Sequence, residues 1–97
     1  MPINTLTDGP NMRIELSGDL TIAEAAETRN ALALALTTSE TLELDLGGLE
    51  NIDIAGVQIL LALILENHPI HLTNPSTALQ RVVGLLQLDA LQSRFAQ

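Results

Sequence analysis

The sequence predicts an α/β domain: a single-layer, mixed and mainly parallel β-sheet with helices packed on one face. Three features point to it. Short alternating segments recur along the chain, helical patterns separate them, and the alternation leaves one side of each strand polar. Strands joined through helices pair in parallel by right-handed crossovers. A sheet buried on both faces would instead read as continuous apolar runs, so the helices are expected on one face only. The 97 residues make one domain, residues 1–97, with room for a single modest core.

A strand around Ile3 to Thr7 precedes a turn at Asp8-Gly9-Pro10. The segments Arg13–Leu16, Leu42–Leu46 and Ile70–Thr73 alternate, so each is a strand with one buried and one wet side. Arg13, Glu15, Glu43, Asp45, His71 and Thr73 fall on the wet side. Ser17-Gly18-Asp19 and Gly47-Gly48 read as turns.

Thr21-Ile22-Ala23-Glu24 is a capping box that opens the first helix, with the Thr21 hydroxyl expected to accept from the Glu24 N–H and the Glu24 carboxylate to reach back. Its apolar stripe is Ile22, Ala25, Ala26, Leu32, Ala33 and Leu36. The second helix opens near Ala55 and runs to about Asn67, where Pro69 closes it off. A third helix starts with Asn74 as N-cap and Pro75 in the first helical position, burying Ala78, Leu79, Val82, Val83 and Leu86. A short helical tail from Leu88 to Phe95 follows.

Composition narrows the function. The chain has no cysteine, which excludes disulfides, thiolate catalysis and Cys-based metal sites. Phe95 is the only aromatic residue, so nothing is available to stack a base or a flavin. Twelve acidic residues face four arginines, a formal net charge of −8. No basic patch exists to displace counterions, so nucleic acid and anionic membranes are repelled. The longest apolar run, Ile59 to Leu65, is far too short to span a bilayer, and no direct membrane insertion is expected. The chain does not open on a basic segment followed by an apolar run, so a cytoplasmic location is expected.

Catalytic motifs are weak throughout. His68 and His71 straddle a proline and a strand start, and read as surface histidines rather than metal ligands. The acidic pairs Glu43/Asp45 and Glu24/Glu27 read as solvated flanks, whereas catalytic carboxylates need an apolar pocket for at least one member. Phosphate loops of the GxGxxG and GxxxxGK types are absent. Neither an enzyme nor a cofactor or metal site is expected.

The second helix differs. With Val57, Leu60, Leu61 and Ile64 as its core stripe, the opposite side presents Gln58, Ile59, Ala62, Leu65 and Glu66, where mostly charge belongs. A helix apolar nearly all round is either buried between neighbours or half of an interface.

The stretch Leu42-Glu-Leu-Asp-Leu-Gly-Gly-Leu-Glu-Asn-Ile-Asp-Ile-Ala-Gly-Val57 resembles the central strand, loop and helix start of STAS domains, named for sulfate transporters and anti-sigma factor antagonists. Leu16-Ser-Gly-Asp-Leu-Thr21 is similar to the family's turn into the first helix. Leu72-Thr-Asn-Pro-Ser76, Val82-Val-Gly-Leu-Leu and Leu88-Asp89 resemble its last strand and helix. In phosphoregulated members the loop reads Asp, two small residues including a Ser or Thr, then Gly. A partner that is both kinase and anti-sigma factor phosphorylates the hydroxyl and so abolishes binding. Asp53 and Gly56 fit this frame, but Ile54 and Ala55 occupy the acceptor positions, and no Ser, Thr or Tyr lies between Thr41 and Thr73.

The resemblance implies a non-catalytic protein that binds another protein without a phosphorylation switch in this loop. The implied surface is Asp53, Ile54, Ala55, Gly56, Gln58, Ile59, Ala62 and Leu65. Ile54 is either an exposed anchor or folded inward, and the extension of the apolar strip through Ile59 and Leu65 favours the anchor. Expected partners are an anti-sigma factor or kinase-like protein, or a chemotaxis-linked protein; a homodimer is also open. The alternative is an accessory subunit on the ATPase of an ABC-type phospholipid-transport complex. A small-ligand module is a third, disfavoured by the missing glycine loop and scarce basic residues.

Overall fold

The structure, a computed structural model, describes residues 3–7, 9–66 and 68–96. Strands β1 (Ile3–Thr7) and β2 (Asn11–Leu20) lead into helix α1 (Ile22–Thr38). Then come β3 (Thr41–Ile52), α2 (Ile54–Ile64), β4 (Ile70–Thr73), α3 (Thr77–Leu85), α4 (Asp89–Gln92) and β5 (Phe95–Ala96). The sheet runs β1-β2-β3-β4-β5 in spatial order. Only the β1–β2 pair is antiparallel.

The register explains the one-sided layer. Met12, Leu42 and Ile70 stand side by side, as do Ile14, Leu44 and Leu72, so the alternating apolar residues of three strands converge on one face. All six are buried. The other face carries the intervening polar set, where Arg13 Nε donates to Glu43 at 2.8 Å and Arg13 Nη2 to Asp45 at 3.3 Å. Those exposed pairs contribute little stability. The core lies between the inner face and the helices, with Leu16, Leu20, Leu32, Leu60, Leu79 and Leu91 all fully buried.

Several local expectations are corrected. Ser17-Gly18-Asp19 and Gly47-Gly48 lie inside β2 and β3 rather than in turns. The strands pass unusually close there: a side chain on Gly48 would meet Ser17 Cβ at 2.7 Å. Gly18 takes a positive φ of 74°, where the parallel register slips. Ser76, not Asn74, caps α3, accepting from Leu79 N at 3.0 Å. Asn74 instead turns the chain at φ 52°, its amide donating to Asp45 at 3.2 Å. Leu86 lies beyond the last turn of α3 and is 42% exposed rather than core. The tail is a four-residue helix followed by a fifth strand, with Phe95 beside Leu72.

The capping box at α1 forms as expected, with the Glu24 carboxylate reaching back to Thr21. Glu24 Oε2 accepts from both the Thr21 N–H (3.2 Å) and the Thr21 hydroxyl (2.6 Å). The inward stripe of α1 is Thr28, Leu32 and Ala35, whereas Ile22, Ala26 and Ala33 are exposed. Positions 22, 26 and 33 form a neighbouring stripe at helical spacing, turned along α2 rather than onto the sheet. His68 is half-buried, not a surface histidine, and its Nε2 has no hydrogen-bond partner. Asp8 and Asn67, which fall in the expected turn and at the expected end of α2, lie outside the described residues.

Candidate protein-docking site

Strands β2 and β3 run parallel, with Leu20 beside Ile52, so both chains leave the sheet at the same edge and enter helices side by side. A single residue, Asp53, separates β3 from α2. Its carboxylate serves both helix starts. Oδ1 accepts from Gly56 N at 3.1 Å as the N-cap of α2, and Oδ2 accepts from Ile22 N, the first residue of α1, at 2.9 Å. The Ile22 N–H above all, and then those of Gly56 and Ala55, hold the carboxyl below its ordinary value, outweighing the opposing effect of partial burial.

Gly56 lies where the start of α2 presses against the end of β2. A Cβ there would fall 2.2 Å from the Leu20 carbonyl oxygen. Asp53 and Gly56, both expected at the docking surface, are therefore first of all structural: one ties the two helix starts together, the other lets α2 seat on the strand end.

What these two residues position is apolar and open. Ile54, the first residue of α2, is 60% exposed, and Ile22, the first residue of α1, is 75% exposed. Behind them an open groove of about 360 Å³ runs between the helices. Ile22, Ala25, Ala26 and Arg29 line it from α1; Ala55, Gln58, Ile59 and Ala62 line it from α2. A second hollow of about 260 Å³ continues past Ala33 and Leu63 to Glu66. Short alanine side chains on both walls keep the groove open.

The sequence-derived surface is partly assembled here. Ala55, Gln58 and Ala62 come together in the groove, with Ile54 exposed beside Ala55 at the start of the same helix. Ile59 does not belong to an exposed strip: it is 7% exposed and joins the core cluster, because α1 covers that side of α2. Leu65 is 84% exposed on the C-cap of α2. It lies on the same side of the helix as Ile54, about 16 Å along the axis. Leu61 and Ile64, assigned to the core stripe, are only half-buried, while Leu63 takes a core position.

The sequence reading missed Ile22, Ala26 and Arg29 as groove residues. A signal was present: Leu20-Thr21-Ile22-Ala23 and Ile52-Asp53-Ile54-Ala55 share one pattern of aliphatic residue, helix cap, isoleucine and alanine. Two such turns leaving neighbouring parallel strands place their isoleucines at matching positions. Among the described residues no cluster of His, Asp or Glu could hold a metal ion. Among the same residues no helix is long and apolar enough to cross a membrane.

The sequence model described as "Mlab, STAS domain" matches residues 3–93. The chain belongs to the STAS domain family. Solved structures that share the fold include three with regulatory names. The anti-sigma factor antagonist SpoIIAA in its unphosphorylated form superposes with a TM-score of 0.76 at 20% identity, covering 97% of this chain and 85% of that one. The Bacillus cell fate determinant SpoIIAA in its phosphorylated form gives 0.73 at 20% identity, with 97% and 88% covered. An anti-sigma factor antagonist from Mycobacterium paratuberculosis gives 0.73 at 22%, with 92% and 81% covered. Comparison with curated protein sequences returns no match. This STAS domain presents the family's mixed α/β fold, with Asp53 and Gly56 at the start of α2.

Proposed function

We propose that this STAS domain is a non-catalytic cytoplasmic protein that binds a protein partner through the paired starts of α1 and α2. The setting is a signalling or partner-switching assembly of the anti-sigma factor antagonist type. The observation that carries this reading is the pair Ile22 and Ile54, 75% and 60% exposed, held at adjacent helix starts by one carboxylate above an apolar groove. Exposed aliphatic side chains at a fixed, rigid position suit burial in an interface. The net charge of −8 selects a partner with a basic rim.

The binding is constitutive. A phosphoryl group on a loop hydroxyl would bring nearly two negative charges into an interface, but no hydroxyl lies between Thr41 and Thr73. That same observation favours a second reading, a permanent accessory subunit on the ATPase of an ABC-type phospholipid-transport complex. Such a subunit has no need of a release switch.

The test is a binding titration of the purified protein against anti-sigma factor kinases and ABC ATPases from the same genome, with and without ATP. Saturable binding to a kinase that ATP does not reverse supports the first reading; binding to an ATPase alone supports the second. ATP-driven release accompanied by phosphate on a peptide from residues 42–72 refutes constitutive docking.

A further inference from the structure

A different edge of the molecule carries a second interaction surface. Among the described residues, strand β1 lies at the rim of the sheet with β2 as its one neighbour in the strand order. Open edges invite pairing, and proteins blunt them with charges, prolines, bulges or very short strands. The opposite rim follows that rule, since β5 is two residues long. Strand β1 is five residues long, Ile-Asn-Thr-Leu-Thr, without charge or proline. Its one irregularity is the register shift between Thr5 and Thr7, which leaves Ile3 to Thr5 as a regular stretch.

Above this edge the helical layer stops short. Ile3 and Thr5 lie in register with Leu16 and Ile14 and so face the helix side of the sheet. With Ala31, Leu34 and Thr38 of α1 they border an open notch of about 520 Å³ whose floor is Met12 and Ile14. Leu34 is 66% exposed there. Among the described residues no charged side chain lines the notch, in a chain that carries twelve acidic and four basic residues.

We propose that the β1 edge is the contact surface for a second copy of this chain, paired antiparallel about a two-fold axis at Asn4. Such an isologous contact uses the same patch on both copies. It places Ile3 opposite the second copy's Thr5 on the inner face, and Asn4 opposite its own counterpart on the polar face, where two amides can bond to each other. Leu34 of each copy then closes over the joined notches. Two chains of net charge −8 repel, so an uncharged, self-complementary rim is where copies can meet. A stable interface buries about 1,200–2,000 Å² in total. A short strand pair with two helix flanks lies at the low end, which makes the dimer reversible. It uses the second half of α1, leaving the groove beside Ile22 and Ile54 open.

Sedimentation velocity of the full chain over a micromolar concentration series tests this. The wild type should shift from monomer to dimer, and Leu34→Glu or Thr5→Lys should weaken association at least about tenfold, with unchanged circular dichroism melts. Because the chain has no cysteine, Asn4→Cys supplies a geometric check. Facing Cα atoms in an antiparallel pair lie about 4.5–5.5 Å apart, within disulfide reach. Mild oxidation should therefore link Asn4→Cys into a covalent dimer, and Leu65→Cys far less. A wild type that stays monomeric throughout, dimers that survive both surface substitutions, or equal cross-linking of the two cysteine variants overturns the proposal.

Discussion

Replacing Ile54 by alanine, serine or glutamate separates docking from folding, because the side chain is 60% exposed in the free domain. Full burial of an isoleucine is worth about 1.5–3 kcal/mol. Covering the 60% still open is then worth about 1–2 kcal/mol, so Ile54→Ala should weaken partner binding about 5- to 30-fold. Ile54→Ser should behave similarly. Ile54→Glu should do far more. A carboxylate stripped of water without a counter-charge costs several kcal/mol, which is a loss of a hundredfold or greater. The fold should tolerate all three, since an acidic group in the first turn of α2 is mildly favourable. The assay is isothermal titration against the partner identified by the binding screen, with thermal melts as the folding control. Leu85→Glu, 77% exposed at the end of α3, provides a charge control away from the site. Equal affinity for wild type, Ile54→Ala and Ile54→Glu would refute docking at the helix starts.

Three further outcomes follow from the packing. Ile59→Ala should cost about 2–5 kcal/mol, like Leu60→Ala, whereas Leu65→Glu should leave the urea midpoint unchanged; denaturant melts decide it, and a harmless Ile59 truncation would contradict its core position. Gly56→Ala should cost about 1–3 kcal/mol, because the added methyl meets the Leu20 carbonyl at 2.2 Å; the same melts check it, with Gly84→Ala, where the nearest atom is 3.7 Å away, as the mild comparison. Asp53 should contribute to acid lability: its folded carboxyl is lowered below the ordinary 3.8, so its stabilisation is complete above that value and fades as pH falls through the lower folded one. Thermal melts across this acid range should show Asp53→Asn flattening that part of the profile.

The fold was legible because the strands alternate cleanly. Leu42-Glu-Leu-Asp-Leu declares a strand with one wet face, and the register confirms which face by bringing Met12, Leu42 and Ile70 together. The helix faces were harder to read. In α1 two stripes at helical spacing compete, and alanine is so small that either can lie inward. The outcome turned on Leu32, which shares its face with Thr28 and Ala35. In α2 the run Ile59 to Leu65 is apolar all round, so periodicity gave no direction. Only the neighbouring α1 decides that Ile59 is covered and Leu65 is not. Gly47-Gly48 misled for a related reason: paired glycines signal turns, but here Gly48 lets β3 lie close to Ser17 of β2 and Gly47 makes room for Asn74, tertiary demands that no local window contains.

The loop's two family-matching residues now have a physical explanation that does not depend on a switch. Asp53 caps α2 and also holds the first N–H of α1. Gly56 is fixed because any Cβ at that position would run into the Leu20 carbonyl oxygen. Both requirements concern how two strand-to-helix turns fit side by side, and both hold whatever occupies positions 54 and 55. Those two positions face outward or into the groove and bear no such constraint. A phosphorylatable hydroxyl there is therefore separable from the scaffold beneath it. Under the proposed function, Ile54 in place of such a hydroxyl would remove control of the contact while adding apolar surface to it, giving a domain suited to hold its partner rather than to release it.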